Sequence, residues 1–498
     1  MTNQEPHDQE SYRKVAKSTV VFGGSQVVQM LTVLLRAKLI AVLIGPIGMG
    51  INSLILSAVS VVQQLSSMGI FQSGVREMVR VAQDNDPVKL SRFRKNFLIL
   101  TLISAFAGTL LFIAFSPFLS KFLFENRNYT YWLMGASLTV LFMSLQNGYG
   151  TIMQATHNLG LLARATVAGA VAGLAAAATL FYFLRVNGIV PAMVAGSLAF
   201  FLSFKFYEKR LVFLPAHRIA QRELTECGKP ILKLGFVLMF SFMLMTLFTF
   251  MLNAFISNIG SVEDVGYYQA AFSICGQGMA LVTTILAADY FPRLSAIESD
   301  RRTLKFTVNQ QTELMLFIIA PVSVVLMTVA PLLVTVLLSA KFQIVATLIR
   351  VMLIALIFRT LWILLSYIIL AKGDKRTYFI YDALIGNGGL FLLNVAGYYF
   401  YGLRGLAVSY LAGSIIMTLL LSLVVRIKYK YFFSRRLVWL SAMFFAIMIF
   451  AYFVTAQFQG LWRYTVLALL SCFTVIYSFV SLNKNIGIAE IIKNRFKI

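Results

Sequence analysis

The chain alternates long apolar runs with short polar segments that are mostly basic. Fourteen of the runs are long enough to cross about 30 Å of hydrocarbon as helices. Helices of this length and number predict an all-α membrane protein. Their predicted bounds are 18–44, 48–71, 96–119, 129–155, 160–184, 188–207, 232–257, 264–288, 310–338, 344–371, 377–400, 403–425, 437–456 and 461–482.

The predicted helices divide into two related halves. The segment from Gly50 can be aligned with the segment from Gly266 at an offset of about 216 residues, although few positions are identical. We therefore predict a six-helix amino-terminal lobe over 1–207 and a basic cytoplasmic linker over 208–231. A second six-helix lobe follows over 232–425, and 426–498 adds two helices and a cytoplasmic tail. Two such pseudo-symmetric bundles predict a central cleft between the halves, which is the arrangement used for alternating access.

Composition and charge place the chain in the membrane and orient it. With 59% hydrophobic residues, 12% charged residues and a mean hydropathy of +0.81, 498 residues cannot hide their apolar side chains in a soluble core. Of the 43 basic residues, only six fall in loops on one side and four within the spans. The positive-inside rule then predicts that both termini are cytoplasmic, and it explains the charge of +24 without nucleic acid. The basic inner loops either only orient the chain and attract anionic lipids or also collect an anionic lipid substrate.

Four basic residues lie within the predicted spans: Arg36, Lys38, Arg350 and Arg359. A central Arg or Lys costs roughly 2.5–3.5 kcal/mol to insert, so it normally faces protein, a water-filled cavity or an anion. Arg359 is the deepest and has no acidic residue within four positions. Arg36 and Lys38 point about 200° apart around a straight helix, so one cavity cannot receive both. These residues are candidate ligands of an anionic substrate, with a structural role as the alternative, above all for Arg350.

Few acidic and amide residues occur in the spans. Asp289, Glu313 and Asp382 are possible coupling carboxylates, although their places near the inner interface also fit solvated or salt-bridged groups. Amide side chains in spans either join helices or bind sugar hydroxyls. The candidates for polar cavity lining are Gln29, Asn52, Gln63, Asn253 and Gln269.

The sequence gives no sign of catalysis. The three histidines are scattered outside the spans, and no nucleophile with a paired base, phosphate-binding glycine loop or metal cluster can be assembled. The three cysteines are dispersed, which predicts free thiols and no metal site. We expect no enzyme and no cofactor, with a proton or sodium gradient as the possible energy source.

Several segments together resemble a known family. The segment KLIAVLIGPIGMGINSL, followed by MGIFQSGVREMVRVAQDNDP, resembles the opening of the bacterial Wzx-type oligosaccharide-lipid flippases. These flippases form the polysaccharide transport branch of the multidrug/oligosaccharidyl-lipid/polysaccharide exporter superfamily. VEDVGYYQAAFSI, DYFPRLSAI, LLSAKF and YIILAKGDKRTYFI resemble matching parts of the second half. Within this branch, these segments resemble the flippases of O-antigen units and of the lipid-linked trisaccharide of enterobacterial common antigen.

The resemblance implies a V-shaped alternating-access transporter. It would move undecaprenyl-pyrophosphate-linked oligosaccharide, such as an O-antigen or capsule unit, from the inner to the outer leaflet of the bacterial inner membrane. It implies a cationic central cavity, in which Lys38 matches a family lysine and Arg359 falls where a basic residue is expected. Asp289 departs from the family pattern. Other polysaccharide assembly proteins are possible partners. The alternatives are a cation-coupled multidrug exporter of the same superfamily and, with less support, a membrane polysaccharide polymerase or glycosyltransferase.

Overall fold

The computed structural model describes residues 5–84, 86–211, 213, 221–285, 290–297, 300–458 and 460–486. Within these residues the chain is helical and contains no strand. It divides into two compact units, the first ending at Gly266 and the second beginning at Tyr267. The lobe and linker boundaries predicted above stay a prediction.

The first unit is built from eight helices and the start of a ninth. A one-turn 3-10 segment, Arg185–Gly188, joins the sixth to the seventh. The helices are α1 (Glu5–Leu43), α2 (Pro46–Ser67), α3 (Ile70–Gln83), α4 (Pro87–Phe124), α5 (Thr130–Ala155), α6 (Leu159–Leu184), α7 (Ile189–Glu208), α8 (Gln221–Ile259) and α9 (Val262–Ile285).

The second unit continues from α9. A π-helical segment, Tyr378–Gly386, lies between its fourth and fifth helices, and Gly402 interrupts the fifth with a left-handed φ of 59°. The helices are α10 (Phe291–Ala296), α11 (Arg301–Leu337), α12 (Gln343–Ala371), α13 (Lys375–Thr377), α14 (Asn387–Tyr429), α15 (Arg435–Gln457) and α16 (Leu461–Ile486).

The prediction of an all-helical membrane fold with about fourteen spans is confirmed. Nine helical stretches of the described chain are long and apolar enough to cross a membrane, and two of them, 159–208 and 375–429, each hold two predicted spans. The predicted spans 129–155 and 232–257 coincide with α5 and with part of α8, and the described part of 264–288, up to Ile285, is helical in α9. One predicted boundary is wrong. The span 48–71 ends at Ser67, because Met68 and Gly69 adopt left-handed conformations before α3 begins.

Small residues and one buried ion pair hold the first unit together. A Cβ on Gly173 of α6 would lie 3.4 Å from the Cα of Gly196 on α7, so these two helices approach closely where both lack side chains. Arg94 of α4 donates to both carboxylate oxygens of Glu208 on α7, at 2.5 and 3.0 Å. Glu208 is only 1% exposed. Such a bidentate pair in a low-dielectric interior fixes the α4–α7 geometry.

The starts of α2 and α9 contact each other reciprocally. A Cβ on Gly50 would lie 1.9 Å from the carbonyl oxygen of Val262, and a Cβ on Gly266 would lie 2.1 Å from that of Pro46. Both pairs match the offset of about 216 residues noted in the sequence. Only glycine fits at either position, because a side chain would overlap the opposite backbone.

The second unit is organised around α12, which is the most thoroughly buried of its long helices. Phe317 of α11 packs edge-on against Phe444 of α15 and Tyr477 of α16. Most residues of α12 are buried, so a charged residue on this helix has mainly protein neighbours.

The loop after α12 is fixed by an ion pair. Asp374 accepts hydrogen bonds from the Lys428 ammonium, the Thr377 amide and the Tyr429 hydroxyl. The Lys428 ammonium and the Thr377 N–H hold the pKa of the Asp374 carboxyl well below its usual range. This pair ties the end of α12 to the end of α14.

Substitution of Gly50 by Ala tests the glycine contact. The new Cβ would overlap the Val262 carbonyl, and overpacking of this kind costs about 1–3 kcal/mol. We expect a lower midpoint of thermal unfolding for the purified protein in detergent. The matched control is Gly24→Ala on α1, where a Cβ meets nothing within 4 Å. If both variants unfold at the wild-type temperature, the close contact between Gly50 and Val262 is contradicted.

Candidate functional site

Arg36 lies inside α1 and points toward α7. A Cβ on Gly196 of α7 would lie 3.6 Å from Nη1 of Arg36. The guanidinium therefore lies beside α7 at a position without a side chain. No hydrogen bond or ion pair joins Arg36 to a residue that the structure describes. The first unit therefore holds a cation without a carboxylate partner among its described residues.

Lys38 follows Arg36 by two positions and is exposed on the surface of the first unit. The two side chains point in different directions, as the helical geometry requires. The structure therefore does not bring Arg36 and Lys38 together at one site of the first unit. A role for Lys38 in substrate binding stays a prediction.

Arg359 lies near the middle of α12 in the second unit. Its guanidinium carbon is 4.4 Å from the centre of the Trp362 ring, in a cation–π contact. The hydroxyls of Tyr268 and Tyr410 lie near enough to interact with its charge. Its Nη1 is buried and makes no hydrogen bond to any described residue. The cation thus stacks on one aromatic ring, and its buried Nη1 is a donor without an acceptor among the described residues.

The other face of this cluster carries a buried carboxylate. Asp382 lies on the π-helical segment and is 9% exposed. It accepts a hydrogen bond of 2.5 Å from Nε1 of Trp362 and another from the Ser366 hydroxyl, and it also bonds Tyr378. Gly386 permits this arrangement, because a Cβ there would lie 2.4 Å from the Trp362 ring. Trp362 therefore links the two charged groups, with Arg359 over its ring and Asp382 at its N–H.

The remaining charged candidates have other surroundings. Arg350 is buried at 8% exposure, and its Nε lies 3.4 Å from the carbonyl oxygen of Met327. Glu313 of α11 pairs with Arg436 of α15 at 2.5 Å. Asp289 lies outside the described residues.

A polar cavity of about 610 Å³ lies within the first unit. Gln29 and Gln63, two of the predicted cavity residues, line it. Asn52, Asn253 and Gln269 do not, and Asn253 is almost completely buried in α8. The other lining residues are Gln64, Ser67, Phe71, Gln72, Val75, Gln146, Asn147, Gly150, Thr151, Gln154, Leu162, Thr166, Phe200 and Phe204.

Sequence reasoning missed most of this cavity and the role of Trp362. A signal was present on α5, where Gln146, Asn147 and Gln154 interrupt an otherwise apolar run. These positions fall on one side of a helix, since eight residues complete slightly more than two turns. Their convergence with α2 depends on the packing of the helices and could not be seen in one helix alone.

No metal or redox centre is apparent among the described residues. No group of three His, Cys, Asp or Glu side chains converges within the described ranges. Cys275 is buried and Cys472 is exposed, and both are free thiols.

Comparison with family models identifies the chain. The model described as polysaccharide biosynthesis protein matches residues 39–347. The chain belongs to this family. Comparison with curated protein sequences gives no significant match.

The fold of this polysaccharide biosynthesis protein is similar to those of solved transporters. The lipid II flippase MurJ in an inward closed conformation superposes with a TM-score of 0.69 at 14% identity, covering 94% of this chain and 99% of that one. An inward-facing multidrug resistance MATE transporter of the MOP superfamily gives 0.61 at 18% identity, covering 84% and 95%. A MOP superfamily transporter from Pyrococcus furiosus gives 0.60 at 16% identity, covering 83% and 96%. The chain is a multi-pass membrane protein with the fold of the MOP superfamily transporters.

Trp362→Phe tests the cluster of Arg359, Trp362 and Asp382. Phenylalanine keeps a ring beside the guanidinium but removes the N–H that satisfies a buried carboxylate oxygen. We expect the free energy of unfolding to fall by about 1–3 kcal/mol. The matched control is Trp439→Phe, since Trp439 is 76% exposed. The midpoint of thermal unfolding in detergent is measured for both variants. Equal midpoints for Trp362→Phe and Trp439→Phe would show that the hydrogen bond from Trp362 to Asp382 does not stabilise the protein.

Proposed function

We propose that this protein is a flippase for an undecaprenyl-pyrophosphate-linked oligosaccharide. It moves the lipid from the inner to the outer leaflet of the bacterial cytoplasmic membrane by alternating access. The observation that carries the proposal is Arg359, a cation on a buried helix whose Nη1 has no acceptor among the described residues. The family match and the fold similarity to a lipid flippase support it.

A pyrophosphate group suits such a cation. The planar guanidinium donates two parallel hydrogen bonds to phosphate oxygens, which is stronger and more directional than contact with an ammonium. In a partly desolvated site the attraction is several times stronger than in water. One or two arginines are therefore enough to hold an anionic head group.

Two cations without an ion pair among the described residues enter the proposed mechanism, Arg36 in the first unit and Arg359 in the second. Basic groups at the cytoplasmic surface capture the lipid from the inner leaflet, the pyrophosphate pairs with Arg359 or Arg36, and the head group leaves when the site opens outward. The polyprenyl tail stays in the bilayer throughout. The bias of the basic residues supports cytoplasmic termini and hence this direction.

Asp382 is the proposed coupling carboxylate, energised by a proton or sodium gradient. It is buried among neutral donors and contacts the same tryptophan as Arg359. A change in its charge would alter the field at Arg359 and with it the affinity for the anion. Glu313 is a weaker candidate, because Arg436 already neutralises it.

A cation-coupled multidrug exporter is the alternative, and the similarity to MATE transporters favours it. Cationic drugs need acidic or electron-rich surroundings, whereas the unpaired groups described here are arginines. The electrostatics therefore favour an anionic substrate.

Arg359→Ala tests the proposed function in reconstituted vesicles. Loss of a charged hydrogen-bond donor costs about 1.5–3 kcal/mol, which predicts at least a tenfold slower translocation of undecaprenyl-pyrophosphate oligosaccharide. Arg359→Lys keeps the charge but loses the bidentate geometry, and we expect an intermediate rate. The matched control is Arg404→Ala, an exposed arginine just after the break at Gly402.

If Arg359→Ala translocates the lipid at the wild-type rate, the proposal that Arg359 binds the pyrophosphate is wrong. Efflux of cationic drugs by the wild type, without any movement of the lipid, would support the exporter instead.

A further inference from the structure

The amide groups around the 610 Å³ cavity of the first unit are unpaired. None of the seven makes a side-chain hydrogen bond with a residue that the structure describes. Nε2 of Gln64 is also buried, and a buried donor without an acceptor is rare in folded proteins. The seven residues are Gln29, Gln63, Gln64, Gln72, Gln146, Asn147 and Gln154.

The chemistry of the lining points to a neutral ligand. None of the lining residues is charged, so neither phosphate nor a cationic drug finds a counter-ion there. A primary amide offers two donors and an acceptor, and a hydroxyl offers one donor and two lone pairs. Amides are thus complementary to a ligand rich in hydroxyl groups, whereas carboxylates only accept and ammonium groups only donate.

The aromatic residues add a second feature. Phe71, Phe200 and Phe204 line the same cavity, and they come from α3 and α7, whereas the amides come from α1, α2, α3 and α5. Sugar rings combine hydroxyl edges with apolar C–H faces, and phenyl rings provide apolar surface for such faces. The volume lies within the range of about 300–1,000 Å³ that is usual for ligand pockets.

We infer that this cavity binds the uncharged sugar rings of the lipid-linked oligosaccharide. The inference rests on the proposed function and assigns different parts of the substrate to different sites. The arginines hold the pyrophosphate, and the amide cavity of the first unit holds neutral sugars. The cavity then makes translocation depend on the length and identity of the glycan.

The test compares two lipids in vesicles that contain the full-length protein. One is undecaprenyl pyrophosphate bearing a single sugar, and the other is the same lipid bearing the complete oligosaccharide of the host strain. In the double variant Gln63→Leu, Gln146→Leu, two amides become apolar at similar volume. We expect about a tenfold slower translocation of the complete oligosaccharide, because each lost hydrogen bond has a modest net effect. The single-sugar lipid should move at close to the wild-type rate.

Matched variants control for misfolding. Gln29→Leu and Gln26→Leu change the same residue type on α1, both half-buried, but only Gln29 lines the cavity. Gln29→Leu should slow the complete oligosaccharide selectively, and Gln26→Leu should change neither lipid. This pair decides the question if the double variant does not purify as a monodisperse protein.

Three outcomes would overturn the inference. Equal slowing of both lipids by the cavity variants would mean that the amides only support the fold. No effect on either lipid would mean that the cavity is a water-filled vestibule. Movement of neither lipid by the wild type would refute the proposed function itself, and with it this inference.

Discussion

Burial of a guanidinium charge in an apolar helix is the constraint on which the structure depends. An arginine at the centre of a span costs roughly 2.5–3.5 kcal/mol, and this cost must be offset by something that the rest of the molecule or its ligand provides. Arg359 lies on α12, most of whose residues are buried; its side chain is half-buried, and its Nη1 is buried without a hydrogen-bond partner among the described residues. Trp362 supplies a ring, and two tyrosines supply hydroxyl dipoles. The carboxylate of Asp382 is engaged by the tryptophan N–H and by Ser366. The guanidinium of Arg359 is thus stabilised by an aromatic ring, and Asp382 contacts the same tryptophan without forming an ion pair with Arg359.

The same separation of tasks extends through the chain. Charged groups that are paired, such as Arg94 with Glu208 and Lys428 with Asp374, join helices and stabilise one geometry. Arg36 and Arg359, which form no ion pair with a described residue, lie within the long apolar helices α1 and α12. The polar surface of the first unit's cavity is neutral and consists of amides. Structural ion pairs, unpaired arginines and neutral amides therefore occupy different places, which suits a protein whose proposed cargo has an anionic part, a neutral sugar part and an apolar tail.

Much of the fold could be predicted from the sequence because hydrophobic length alone defines a membrane helix. The fourteen spans follow from apolar runs, and the break between two of them at Gly402 coincides with a left-handed glycine. The end of α2 at Ser67 was less predictable, since Met68 is an unusual residue for a left-handed conformation. The divergence of Arg36 and Lys38 followed from helical geometry. The link between Trp362 and Asp382 did not, because these residues are separated along the chain and meet through a π-helical segment. The amide cavity needed tertiary structure for the same reason.

The central claim is that the unpaired arginines recognise a pyrophosphate head group, and binding to three lipids tests it most directly. The purified protein in nanodiscs would be titrated with undecaprenyl pyrophosphate, undecaprenyl phosphate and uncharged undecaprenol, which share one tail and differ in head-group charge. The account predicts that affinity falls in that order and that added salt weakens binding of the pyrophosphate most, because charge pairing is screened by ions. Equal affinities for the three lipids, insensitive to salt, would show that the tail alone is recognised and would contradict the account.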